Sequence, residues 1–174
     1  MTMAPGLRKF ALTAHVTSSV GLLGAVAVFL ALAIAGLTSQ DARMVRAAYL
    51  AMNLTAEFVI VPLAFASLLI GIVQSLGTPW GLFQHYWVLA KLLLTVLATI
   101  VLLMQMEPIG LLARAAAETT LSRDTLGLQI RLVVHAGGGL LVLLVPMALS
   151  VYKPRGRTRY GRRKQQEQRA VAQP

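Results

Sequence analysis

Apolar residues fall in four long runs separated by short polar breaks. The first run, from about Phe10 to Leu37, holds no charged residue, and the second, from about Ala47 to Leu76, holds one acid, Glu57. The third, about Tyr86 to Met106, carries Lys91 near its start; the fourth, about Leu128 to Tyr152, carries Arg131 near its start. Roughly 20 mostly apolar residues in a helix cross a bilayer core of about 30 Å, so each run predicts a transmembrane helix. The breaks Thr38-Ser39-Gln40-Asp41 and Gly77-Thr78-Pro79-Trp80-Gly81 have turn chemistry. The stretch from Glu107 to Gly127 is longer. Pro108 argues against a straight continuation of the third helix, and a short interfacial helix is expected there with Leu111, Leu112 and Ala115 on one side.

The pattern predicts an all-α fold, an integral membrane four-helix bundle over residues 1–152. A basic, disordered tail is expected over 153–174. The first run is about twice the length of a signal-peptide core, so it is expected to stay as a span although Ala33-Ile34-Ala35 resembles a cleavage site.

Composition agrees: 57% of the 174 residues are hydrophobic and only 13% are charged, half the share of a soluble domain. With no cysteine, disulfides, thiolate metal sites and thiol nucleophiles are excluded. Eight of the sixteen Lys and Arg residues lie between Lys153 and Arg169, so the net charge of +10 describes the tail. An even number of spans puts Arg8, Lys9 and that tail on one side, against Arg43, Arg46, Arg114, Arg123 and Arg131 on the other. The bias of basic residues then predicts that both termini are cytoplasmic, in the cell inner (plasma) membrane. Trp80, Tyr86, Trp87 and Tyr152 are expected as aromatic anchors at that interface.

Close helix packing in lipid needs small residues at four-residue spacing, which Gly21/Ala25, Ala27/Ala31/Ala35 and Ser67/Gly71/Ser75 supply. Polar residues mark faces expected to point into the bundle. These are Asn53, Glu57, Ile60, Ala64, Ser67 and Gly71 on the second helix and His15, Ser18, Ser19 and Leu22 on the first. Lys91, Thr95 and Thr99 form a stripe on the third.

Glu57 is expected roughly 15 Å below the outer surface, where a charged side chain is expensive. Arg131 and His135 enter from the same side and are its expected partners, together with Asn53, either as a proton or ion relay or as a tether between helices. His15 and His85, or His135, raise haem b as an alternative cofactor. His15 and His135, each about 9 Å in from opposite faces, would differ by about 12 Å in depth, which disfavours that pair. His15 is expected to hydrogen-bond near Ser18 and Ser19 instead. Lys91 is expected to snorkel to the headgroups one turn away. Pro62 and Pro146 are expected to kink their helices. In the tail, Lys153, Arg155, Arg157, Arg159, Arg162, Arg163 and Lys164 are expected on anionic lipid headgroups. Only Tyr160 interleaves them, which disfavours a nucleic-acid partner. No phosphate loop, HExxH, serine elbow or acid pair is present in the sequence.

Two stretches, His15-Val-Thr-Ser-Ser-Val-Gly-Leu-Leu-Gly and Thr78-Pro-Trp-Gly-Leu-Phe-Gln-His-Tyr-Trp-Val-Leu-Ala-Lys91, resemble small predicted integral membrane proteins of actinobacteria and related bacteria. The resemblance covers residues 7 to 152. It implies a four-helix bacterial membrane protein with a packed cytoplasmic corner at Trp80 to Lys91, and it carries over no functional residue. The functional expectation is an accessory or scaffold protein without catalytic activity, working in a larger membrane complex or as a homo-oligomer. A small haem-binding or redox protein and a proton- or ion-coupled transporter centred on Glu57 are the alternatives.

Overall fold

The computed structural model describes residues 3–77, 81–118, 125–152, 154 and 156–172, with backbone alone at 165, 167–169, 171 and 172. Among these the chain is helical, with one isolated antiparallel bridge between His85 and Arg157. Four segments are long and apolar enough to cross a membrane: Pro5–Thr38, Ala42–Leu76, Tyr86–Ala117 and Leu126–Tyr152. The protein is a multi-pass membrane protein, and its outer surface of leucine, valine and phenylalanine suits contact with lipid tails.

Helix α1 (Pro5–Thr38) opens on Pro5, whose fixed φ suits a first helical turn. The break that follows is built from side-chain caps. Ser39 Oγ accepts from Asp41 N–H at 3.2 Å, and Asp41 Oδ1 accepts from Arg43 N–H at 2.9 Å, starting α2 (Ala42–Thr55). Between α2 and α3 (Val61–Leu76) lies a π turn, Ala56–Ile60, in which Val61 N–H donates to Ala56 O, five residues back. Pro62 has no N–H to offer Phe58 O, so the regular ladder is already broken at this point.

The π turn decides which residues face inward. Met52, Ala56, Ile60 and Ala64 are all buried, a run of four-residue steps. A regular helix would rotate such a run by about 40° per step, and the wider turn absorbs that drift. Ile60, Ala64 and Ser67 lie inside as their spacing predicts, whereas Glu57 is rotated to the exposed surface. The expected interior position of Glu57 is therefore corrected.

Helix α4 (Tyr86–Ala117) runs through Pro108, against the expectation of a break. Proline removes a single bond, to Met104 O, and the turns beyond it bury Ile109, Leu112 and Ala116 in the core beside α2. α5 (Leu126–Tyr152) completes the bundle. α1 packs on α2, α3 and α5, and α4 packs on the same three, which gives an up-down-up-down ring with sequential spans as neighbours.

Among its described residues the tail is largely helical. It forms α6 (Arg159–Ala172), docked on the loop before α4. Thr158 N–H donates to Gln84 O at 3.0 Å, Thr158 Oγ1 donates to Phe83 O, and Thr158 Oγ1 caps α6 by accepting from Gly161 N–H at 3.1 Å. Gly161 passes so close to the Gln84 carbonyl that a Cβ there would overlap it. These backbone contacts order a sequence whose charge alone predicts disorder. Met3 N–H donates to Gly77 O at 3.2 Å, so both ends of the chain meet at the same end of the bundle.

The main apolar cluster, including Phe29, Ala33, Tyr49, Met52, Leu112 and Leu132, fills the other end. Packing is dense there and opens toward the termini.

Candidate functional site: a polar cavity at the terminal end

Where the helices open, a cavity of about 610 Å³ lies between α1, α3, α4 and α5. On α1, His15 Nδ1 lies 3.1 Å from Ser67 O, a bond the ring makes as the Nδ1–H tautomer, leaving Nε2 as an acceptor. Ser18 Oγ donates to His15 O at 3.0 Å, and Ser19 Oγ meets Ser67 Oγ at 2.8 Å. Gly71 makes this approach possible, because a Cβ there would stand 3.0 Å from His15 Cε1. His15 thus bonds across to α3 as well as bordering its own serine face.

From the opposite wall, Lys91 Nζ donates to Ser150 Oγ at 3.1 Å and sits 4.7 Å from the centroid of the Trp87 ring. Ser150 Oγ in turn donates to Pro146 O at 2.8 Å. Lys91 is therefore drawn toward α5 through two residues that both lie nearer the helix ends than it does, the direction expected of a stem reaching for the headgroups. A cation over an indole face is attracted by the ring quadrupole, which explains why Trp87 is buried instead of serving as an interfacial anchor. Tyr86 and Tyr152 are exposed, consistent with anchoring. Trp80 lies outside the described residues.

A second cavity, about 320 Å³ and almost wholly apolar, lies deeper, between Phe29, Ile60, Gln105 and His135. His135 Nδ1 bonds the carbonyl of Arg131 on its own helix at 2.8 Å. Arg131 is exposed, and with Glu57 turned outward the expected cluster of Glu57, Arg131 and His135 does not assemble inside the bundle. Asn53 is half-buried against α4, near Gly110.

The three histidines take three different places. His15 borders the terminal cavity, His135 the deeper one, and His85 is buried in the corner where the tail bridges to it, its ring 6.3 Å from that of Trp87. Neither of the two cavities is lined by two histidines. Compared with protein families, curated sequences and solved structures, the chain has no significant match in any of the three.

Within the stretch from Trp80 to Lys91, His85, Trp87 and Val88 are buried while Phe83 and Tyr86 are exposed. Of the tail cations, Arg157, Arg159, Arg162, Arg163 and Lys164 are exposed, while Lys153 and Arg155 lie outside the described residues. The link from Lys91 to Ser150 was missed by reading the sequence. Lys91, Thr95 and Thr99 showed a stripe, but nothing in it indicated that Ser150, on another helix, would face Lys91.

Proposed function

We propose that the protein is an accessory subunit of a bacterial plasma-membrane assembly, without catalytic activity of its own, held to a different membrane protein through the outer face of α2 and α3. The observation that supports this is Glu57. It sits near the midpoint of the second span, exposed on the surface that meets lipid, and among the described residues no hydrogen bond or ion pair reaches its carboxyl. A carboxylate at that depth costs several kcal/mol or more in hydrocarbon, roughly, unless it is protonated or paired. A helix presenting a donor or a cation at the same level offsets that cost.

A second copy of this chain is a poor source of such a group. The exposed cation of a second copy at comparable depth is Arg131, on α5 across the bundle from α3, and it could meet Glu57 only in an open head-to-tail row of copies. A two-fold pair would set one Glu57 against the other. The outward position of Glu57 also takes away the internal path along which a relay through one protomer would run.

The excess of basic residues at the terminal end supports cytoplasmic termini, with α6 lying along anionic headgroups. Native-gel mass of the protein, extracted in mild detergent from its own membranes, tests the reading. Wild type is expected in a discrete species larger than the protomer, and Glu57→Leu at the protomer mass with its thermal unfolding unchanged. Equal masses for the two, or mutual capture of differently tagged copies, would contradict it.

A further inference from the structure

We infer that the terminal cavity is a binding site for a phosphate-bearing anion. Two groups that favour negative charge face it: Lys91 from α4 and Arg8 at its mouth on α1. None of the described lining residues is an acid. Ser19 and Ser67 line one wall, and one hydroxyl of that bonded pair keeps its proton for a ligand.

The placement of Lys91 carries this furthest. Its contacts with Ser150 and Trp87 hold the ammonium toward α5 and across the cavity, so the charge is positioned before any ligand arrives. At 1.5 Å per residue Lys91 lies about 8 Å from the start of α4, within reach of the headgroup layer. The walls beyond the polar groups are apolar, with Leu12, Leu23, Leu92 and Met147. A basic pocket between spans with apolar walls suits a headgroup phosphate, and the same donors suit free phosphate. This site is independent of the Glu57 face, and it is distinct from the exposed cations of α6.

Native mass spectrometry of the full chain in a neutral detergent tests it, with phosphatidylglycerol, phosphatidylcholine and inorganic phosphate titrated separately. Phosphatidylglycerol is expected to bind as one retained adduct, about tenfold or more tighter than phosphatidylcholine. Lys91→Met is expected to weaken that adduct about tenfold, and Arg8→Gln, at the exposed mouth where folding is insensitive, severalfold. The triple variant Arg159→Gln, Arg162→Gln, Arg163→Gln is expected to keep it. Saturable binding of inorganic phosphate with the same dependence on Lys91 would assign the site to the free anion, within the same chemistry. Equal affinity for the two lipids with no phosphate binding would overturn the inference. So would wild-type affinity in both Lys91→Met and Arg8→Gln, or loss of the adduct in the tail variant alone.

Discussion

Tyr49 seats its phenol ring on Gly36, so closely that a Cβ at Gly36 would stand 2.8 Å from Tyr49 Cζ. Tyr49 is among the most buried side chains of the bundle, and this contact closes the hairpin of α1 and α2 at its dense end. Gly36→Ala therefore forces the ring or the helix aside. A loss of about 1–3 kcal/mol is expected, the usual cost of overpacking, read from reversible unfolding in detergent.

The hydroxyl of the same tyrosine is buried without a hydrogen-bond partner among the described residues. Tyr49→Phe removes that orphan group and keeps the ring. Stability is expected to stay level or rise by about 1 kcal/mol. A clear loss would mean that the hydroxyl has a partner in the membrane.

Ser19 and Ser67 form one of the few side-chain bonds between spans, at 2.8 Å. A double-mutant cycle with Ser19→Ala and Ser67→Ala is expected to give a coupling of about 0.6 kcal/mol, the size typical of such bonds in membrane bundles. No coupling would remove this bond as a link between α1 and α3.

The tail depends on Gly161 against the Gln84 carbonyl and on the Thr158 cap. Gly161→Ala or Thr158→Val is expected to undock α6 while leaving the spans intact. Limited trypsin digestion should then cut between Arg159 and Lys164 several times faster, with unfolding of the bundle unchanged.

Four spans were legible because the apolar runs are long and the breaks between them carry turn residues. Ile60, Ala64 and Ser67 were placed correctly because their three- and four-residue spacing holds within α3. Glu57 was misplaced because one extra residue in the Ala56–Ile60 turn rotates everything N-terminal to it. Pro62 announces a broken ladder but does not reveal whether a kink or a wider turn results. α4 was cut short at Pro108 because local propensity disfavours proline, while burial of Ile109 and Leu112 against α2 is a tertiary effect. The tail helix was missed for the same reason, since it is held by Thr158 and Gly161 meeting residues some 75 positions earlier in the chain. The cavity donors were visible one helix at a time, but their convergence was not.

The outward turn of Glu57 underlies the functional reading, and a cysteine-free chain allows it to be tested directly. Single cysteines introduced in turn from Met52 to Ala64 can each carry a nitroxide, whose collision rate with oxygen in lipid vesicles reports exposure to the bilayer. Minima at positions 52, 56, 60 and 64, with maxima at 57 to 59, are the predicted result. Minima at 53, 57, 60 and 64, the period of an uninterrupted helix, would return Glu57 to the interior and contradict the account.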